Sequence, residues 1–345
     1  MATPEPGLST ARRSLPLVPR APSRGTRPAP QTVRLSLTDR CDLACVYCRP
    51  SRSDGYFDTR LDDGAWKAMA RGLVAAGVRR VRITGGEPLL HPRVVELVAF
   101  IADLGVDDLA LTTNGTMLER LAEPLRVAGL RRLTISIDSL VQERFWRITR
   151  GGRLDRVLAG VQAAMDARFA ELKTNTVVLR GDNDDELPAI VEWAWSRGIV
   201  PRFIELMGVG EGAKIHGDKL VSAREMRASL EALLHDEAGE PDPGRGPARY
   251  VRARRDPALR AGFITGSTDT YCGACDRLRI TADGTLRPCL ATTDGVAAKP
   301  EAERGDLEAL ARAIDEAWAM KPDGQTWKGC TEATAAHVSM RATGG

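Results

Sequence analysis

From Thr32 onward, short runs rich in β-branched residues alternate with stretches whose apolar positions recur every three or four residues. The runs predicted as strands are Thr32–Leu37, Arg80–Thr84, Leu109–Thr113, Leu133–Asp138, Lys173–Leu179 and Arg202–Leu206. Each is followed by turn residues or a helix start. Between the first two, Asp62 is placed to cap a helix with Trp66, Met69, Ala70, Leu73 and Val74 on one face, and Gly77 is placed to end it. The pattern repeats with Val94, Leu97, Val98 and Ile101 before Gly105, and again with Leu154, Val157, Leu158, Val161 and Met165. Six such βα units predict an α/β protein built as three quarters of a (β/α)8 barrel. A doubly wound sheet shows the same alternation, so periodicity leaves both arrangements open.

Alternation weakens after about Gly208. Gly208, Gly210 and Gly212 read as a flexible connector, and a Pro/Gly-rich stretch over 240–248 interrupts the next helix. Farther on, Arg277–Ile280 and Thr285–Cys289 read as a hairpin around a tight turn at Asp283-Gly284, which sets Cys289 opposite about Leu278. The expected organisation is a leader over 1–31, a partial barrel over 32–207 and a C-terminal α+β region over 208–345.

The leader carries seven prolines and five arginines against the single acid Glu5, too little apolar surface to offset ordering entropy, and it is expected to be disordered. A transit peptide has a similar composition, but no amphipathic period supports one. The chain of 345 residues is long enough for a full core, and its net charge of +3 is too mild for a nucleic-acid surface. No run approaches the roughly 18 apolar residues of a membrane span, and no secretory signal is evident, so a cytoplasmic protein is expected.

Seven cysteines fall as two triplets, Cys41, Cys45 and Cys48, then Cys272, Cys275 and Cys289, with Cys330 left over. An odd count without a secretion signal favours metal ligation over disulfides. The first triplet directly follows the first strand, at the carboxyl end of a parallel sheet, where active sites of such folds lie. Three thiolates leave one iron of a four-iron cluster open to another ligand. The second triplet spans the hairpin, which brings Cys289 back towards Cys275. Zinc is the bland alternative for either set, with Cys330 available as a fourth ligand to the second. Otherwise Cys330 reads as a free thiol.

The Cys-x-x-x-Cys-x-x-Cys spacing with Tyr47 before the last cysteine resembles the radical S-adenosylmethionine superfamily, as does Thr84-Gly85-Gly86-Glu87-Pro88 at the end of the second strand. Two glycines there are expected to let backbone approach a ligand closely. More closely, the chain resembles the GTP 3′,8-cyclase family of molybdenum-cofactor synthesis. The resemblance is carried by residues 33–41, 83–90, 112–115, 136–140, 173–178, 202–207 and 275–279, and by the terminal Gly344-Gly345. It implies two [4Fe-4S] clusters and S-adenosylmethionine. A 5′-deoxyadenosyl radical then removes hydrogen from C3′ of GTP, and the sugar radical attacks C8, giving (8S)-3′,8-cyclo-7,8-dihydroguanosine 5′-triphosphate. Tyr47, Gly86, Ser136 and Met207 are implied to contact adenosylmethionine. Arg34, Arg82, Thr112, Lys173, Arg277, Leu278 and Arg279 are implied to contact GTP, whose guanine meets the second cluster. Arg277, Gly344 and Gly345 are implied to act in catalysis, the last two on a tail that reaches the site. A low-potential electron donor and the downstream cyclic pyranopterin monophosphate synthase are the implied partners; a homodimer is left open.

The residues themselves agree with this reading. Arg34, Arg82, Lys173 and Arg279 sit at strand or hairpin positions with apolar neighbours, unusual for solvated cations, and Arg277 and Arg279 share one hairpin face. A solvated edge strand, or for Lys173 a rim charge, is the bland alternative. Three positions depart from the family pattern: His91-Pro92 where arginine is common, Asp276 where asparagine is common, and Gly208 where proline is frequent. They keep open a related radical enzyme acting on a peptide or another nucleotide. A zinc-bearing scaffold protein is the competing reading from another class.

Overall fold

A computed structural model of the chain describes residues 29–53, 55–242, 246–269, 271–322 and 340–343. Most of the leader, Cys330 and Gly344-Gly345 therefore lie outside the described residues. The placed chain begins slightly before the expected boundary, because the Gln31 carbonyl accepts the N–H groups of Arg79 and Arg80.

The strands β1 (Thr32–Ser36), β2 (Arg80–Thr84), β3 (Asp108–Thr113), β4 (Arg132–Ser136), β5 (Glu171–Val178) and β6 (Val200–Glu205) are hydrogen-bonded in chain order, every pair parallel. Strands added always on the same side give a barrel-like sheet, whereas a doubly wound sheet reverses direction. The helices α1 (Asp63–Ala75), α2 (Val94–Asp103), α3 (Leu118–Val127), α4 (Gln142–Thr149), α5 (Leu154–Asp166) and α6 (Leu187–Trp195) fall between them. The C-terminal half then supplies both flanks of the same sheet. On one side β9 (Arg260–Ile264) runs parallel to β6 and carries β8 (Arg249–Arg252) and β7 (Glu240–Pro241) antiparallel. On the other, β10 (Arg277–Ile280) runs parallel to β1 and carries β11 (Thr285–Arg287) and β12 (Val296–Ala297). Among the described residues no pairing joins the outer edges β7 and β12.

Helix α1 forms as its sequence dictates. Asp62 accepts the Ala65 N–H at 2.7 Å, the apolar face is buried, and Gly77 follows with a φ of 96°. The outward residues of the strands, Val33 and Leu35, Val81 and Ile83, Leu109 and Leu111, Leu133 and Ile135, pack with the helices in one core. Each such burial contributes roughly 1.5–3 kcal/mol. A second core joins β6, β8 and β9 to α6 and α8 (Ala223–Ala228), with the Phe203 and Phe263 rings 6.0 Å apart. Inward positions are polar instead: Arg34, Arg82, Thr84, Thr112, Thr134, Lys173 and Asn175 all face one cavity. A parallel sheet packed on both faces reads as continuous apolar runs. This one is hollow on the inside.

Two local expectations are corrected. The hairpin loop is not a two-residue turn: the Gly284 N–H bonds the Thr281 carbonyl, Gly284 adopts a φ of 86°, and Thr281 pairs with Thr285. That three-residue loop shifts the register by one, so Arg279 opposes Arg287 and Cys289 falls past the end of the ladder, not opposite Leu278. Nor is 208–212 a free connector. Val209 is buried, and Gly212 lies in the first turn of α7 (Glu211–Lys219), where a Cβ would strike the Met207 carbonyl.

Candidate active site

The loop after β1 presents Cys41, Cys45 and Cys48 to a cavity of about 290 Å³. Its backbone is tied to the end of α4, Ala44 N–H to the Thr149 carbonyl at 3.2 Å and Val46 N–H to the Ile148 carbonyl at 2.9 Å. The Cys48 and Arg49 N–H groups turn back to the Cys45 carbonyl, which puts two of the thiols on one turn. Arg49, only 2% exposed, laces the loop from within by donating to the carbonyls of Cys41, Leu43 and Arg52. Burial first, then Glu87, pushes the Cys41 thiol up; burial and Asp138 push Cys45 up.

The Gly85-Gly86 turn packs against this loop. A Cβ on Gly85 would strike the Thr38 carbonyl and one on Gly86 the Arg40 carbonyl, while Gly86 N–H bonds Thr38 at 2.6 Å and Glu87 N–H bonds Arg40 at 2.7 Å. The glycines thus admit neighbouring backbone on one side, and both also line the cavity. Glu87 turns away, accepting from Thr113 Oγ1, Asn114 N and Leu89 N; burial outweighs these bonds and raises its carboxyl to about 7. On the facing wall, Tyr47 Oη donates to Asp138 at 2.7 Å, and burial pushes Asp138 up to about 6.

The inner strand faces form a cationic floor. Arg279, Arg34 and Arg82 are direct neighbours across β10, β1 and β2. Seven cationic side chains line the cavity against four carboxylates. Those carboxylates are already engaged: Asp138 by Tyr47, Glu171 by Lys173 and Arg132, Glu205 by Ala223, Ser267 and Thr268, and Asp276 by Arg80. Burial, then Arg279 and Arg277, presses Arg34 well below the usual guanidinium range. Burial likewise brings Arg82 to about 10 against its Asp108 partner, and burial with Arg277 brings Arg279 to about 10. Arg82 and Arg279 stay charged near neutrality, and besides burial the shifts express a local crowding of positive charge that an anion would relieve. Arg82 Nη2, Arg202 Nε and Asn175 Oδ1 are buried at the cavity without a hydrogen-bond partner among the described residues. Native structures leave few such groups, and these three belong to residues that line the cavity.

Lys173 is no rim charge. It is 4% exposed, with Nζ 3.2 Å from Tyr250 Oη and 3.1 Å from Glu171. Gly86, Thr112, Ser136 and Met207 line the cavity with Tyr47, Arg277 and Arg279. Leu278 does not: it is fully buried on the opposite face of β10, so only its backbone faces the cavity side. The tail arrives as a helical turn at Met340–Thr343, where the buried Thr343 carbonyl accepts from Arg279 Nη1 at 2.8 Å and Met340 lines the cavity.

Cys272, Cys275 and Cys289 line a smaller cavity of about 40 Å³. It shares Met207, Tyr271, Arg277, Arg279 and Leu290 with the larger one, so the two triplets line adjacent cavities with a common set of residues between them. Burial alone would raise the Cys275 thiol, but Arg277 and Lys321 outweigh it and bring it down to about 7. Among the described residues no three Cys, His, Asp or Glu side chains converge at the spacing of one metal ion, which a zinc site with sulfurs about 2.3 Å from its centre requires. A four-iron cluster spreads its thiolates around a cube, and each open triplet on a cavity wall fits that donor set.

Two departures from the family pattern lose their force. His91 is not among the cavity-lining residues, and its Nδ1 accepts from Arg93 N. Asp276 lines the cavity but is held by Thr32 Oγ1 and Arg80 Nη2, each at 2.8 Å. Burial works against ionisation there, yet these partners keep the carboxyl below its usual range. Sequence reasoning missed Arg132, Tyr250 and Lys321 altogether, and left Arg202 without a role.

A chamber at the strand ends of a partial barrel, walled by a three-cysteine loop, defines the radical S-adenosylmethionine class. A Radical SAM superfamily model matches residues 35–194, and a Molybdenum Cofactor Synthesis C model matches residues 199–327. The fold is similar to that of Streptococcus suis SuiB bound to S-adenosylmethionine, with a TM-score of 0.61 and 15% identity over 91% of this chain and 72% of that one. The chain is 43% identical over 296 residues to GTP 3′,8-cyclase 1 of Pseudomonas aeruginosa, covering 84% of this chain and 89% of that protein. It is 40% identical over 298 residues to GTP 3′,8-cyclase of Pelotomaculum thermopropionicum, covering 84% and 91%. The chain belongs to the GTP 3′,8-cyclase family.

Proposed function

We propose that this chain catalyses the first step of molybdenum-cofactor biosynthesis, converting GTP to (8S)-3′,8-cyclo-7,8-dihydroguanosine 5′-triphosphate. The observation that carries the reading is the cationic chamber between two three-cysteine sets. Cys41, Cys45 and Cys48 would hold one [4Fe-4S] cluster, and Cys272, Cys275 and Cys289 a second. Held by Cys41, Cys45 and Cys48, the first cluster would supply one-electron reductive cleavage of S-adenosylmethionine, the source of the radical chemistry on C3′ of GTP.

The protein's share is positioning. Arg34, Arg82 and Arg279 offer planar forks, and Lys173 a point charge, to the triphosphate. Tyr47, Gly86, Ser136 and Met207 border the space beside the first triplet and would seat adenosylmethionine. Arg277, whose guanidinium lies 4.8 Å from the Tyr271 ring, is placed between the floor and the second triplet, where the guanine would sit. Thr112 lies on the floor, and the Leu278 backbone runs between Arg277 and Arg279. The Met340–Thr343 turn borders the chamber, and the family resemblance gives Gly344 and Gly345 a catalytic part. Residues 32–207 would supply the radical-forming unit and 208–345 the second cluster and tail. A low-potential donor would deliver the electron, and the product would pass to the cyclic pyranopterin monophosphate synthase. No described helix is long and apolar enough to cross a membrane, consistent with work in the cytoplasm.

Anaerobically reconstituted protein given GTP, adenosylmethionine and dithionite is expected to yield 5′-deoxyadenosine together with the cyclised guanosine triphosphate. Formation of 5′-deoxyadenosine with unaltered GTP would point to another substrate.

A further inference from the structure

The second cysteine set is assembled from two chain segments, and backbone pairing alone does not fasten them. Cys272 and Cys275 lie on the turn entering β10, while Cys289 comes after β11. The ladder between these strands covers only Arg279 with Arg287 and Ile280 with Leu286, and Pro288 has no N–H with which to extend it. One side chain closes the gap. Lys321, just past the end of α10 (Leu307–Ala319), donates from Nζ to the Arg277 carbonyl at 2.8 Å and to the Pro288 carbonyl at 2.7 Å. The first acceptor lies two residues beyond Cys275; the second immediately precedes Cys289. Lys321 and Cys275 also line the same small cavity, together with Cys272 and Cys289. Its helix is firmly seated: Leu310, Ile314 and Ala317 are fully buried, and the Trp318 ring lies 5.1 Å from Nζ.

We propose that Lys321 is the positioning residue of the second thiol set, clamping Cys289 beside Cys275 and holding a fixed positive charge against the cluster they carry. The proposal rests on the reading that this set binds an iron–sulfur cluster. Reduction adds negative charge to such a centre, and a buried cation stabilises the reduced form through a medium of low dielectric. Lys321 therefore holds the potential of the second cluster higher than its thiolates alone would set it. The first triplet needs no clamp between segments, since all three of its cysteines lie on one eight-residue loop that Arg49 laces from within.

The test compares full-length wild type, Lys321→Met and Lys321→Arg, purified without oxygen, by iron content and by redox titration of each cluster. Wild type is expected to hold about eight irons. Lys321→Met is expected to lose up to half of that iron, and whatever second cluster survives should titrate at a more negative potential, with the first cluster unchanged. Lys321→Arg, which keeps the charge, should restore the potential. A Met variant with full iron and an unchanged second potential overturns the proposal. Wild type with only about four irons overturns the two-cluster reading and the proposal with it. If the Met variant loses both clusters and its cooperative thermal transition, the Arg variant decides: a wild-type potential supports the charge role, and a shift as large as that of a Lys321→Gln variant refutes it.

Discussion

The two cysteine sets line adjacent cavities but are built in opposite ways. The first is local, three thiols on a single loop braced by Arg49 and the end of α4, and its ionisable neighbours are the acids Glu87, Asp42 and Asp138. The second is composite, gathered from both ends of a hairpin, and its neighbours are the cations Arg277 and Lys321. Burial raises the Cys41 and Cys45 thiols, whereas the cations more than offset burial at Cys275. The two sets therefore differ in the sign of the charges around them. The negative end suits a sulfonium cation such as adenosylmethionine, and the positive end suits a polyphosphate.

Removing one ligand from each set separates the roles most sharply. Cys45→Ala should abolish 5′-deoxyadenosine formation, a loss of at least about a thousandfold given that the radical chemistry has no other source. Cys289→Ala should keep adenosylmethionine cleavage while cyclisation disappears and iron falls from about eight to about four. Product analysis by mass spectrometry with iron determination checks both. The next effect in size belongs to the floor. Arg279→Ala removes charge-assisted bonds worth roughly 1.5–3 kcal/mol, so kcat/KM for GTP should fall about 10–100-fold with cluster content intact. Steady-state kinetics read this directly, and an unchanged kcat/KM would exclude Arg279 from substrate contact.

A pH profile tests the electrostatic contrast itself. In protein stripped of metal, alkylation of Cys275 should speed up as pH rises, with a midpoint near 7, because Arg277 and Lys321 favour its thiolate. Cys41 and Cys45 should stay unreactive through the ordinary thiol range, since burial and nearby acids favour the neutral form. Mass spectrometry of each cysteine across pH 5–10 would show the order, and a common midpoint would remove the contrast. The smallest effect is structural. Gly86→Ala sets a Cβ against the Arg40 carbonyl and should cost about 1–3 kcal/mol, whereas Gly273→Ala in the second set meets nothing within 4 Å and should leave Tm unmoved.

Much of this was legible in the chain, and what was not has physical causes. Strand and helix periods marked the βα units because each helix must bury one face, and Arg34, Arg82, Lys173 and Arg279 stood out as charges between apolar neighbours. Arg132 did not: it follows Arg131 at a strand start and looks like a rim charge, and its partners Asp108 and Glu171 are distant in sequence. Lys321 follows an ordinary amphipathic helix, and only the three-dimensional approach of Arg277 and Pro288 gives it meaning. Leu278 carries its side chain into the core, since it alternates with Arg277 and Arg279, and only its backbone is left on the cavity side. The hairpin register slipped by one because a left-handed Gly284 also fits a three-residue loop. Family resemblance marked the two glycines after Thr84 for ligand approach; the backbone they also admit belongs to residues brought near only by folding.

The central claim is that two open centres line adjacent cavities and take different ligands. Electron paramagnetic resonance of the reduced anaerobic protein, titrated separately with adenosylmethionine and GTP, tests it most directly. The account predicts two resolvable cluster signals, the first altered by adenosylmethionine alone and the second by GTP alone, with the GTP response lost in Cys272→Ala. A single cluster signal, or GTP that perturbs neither, would contradict it.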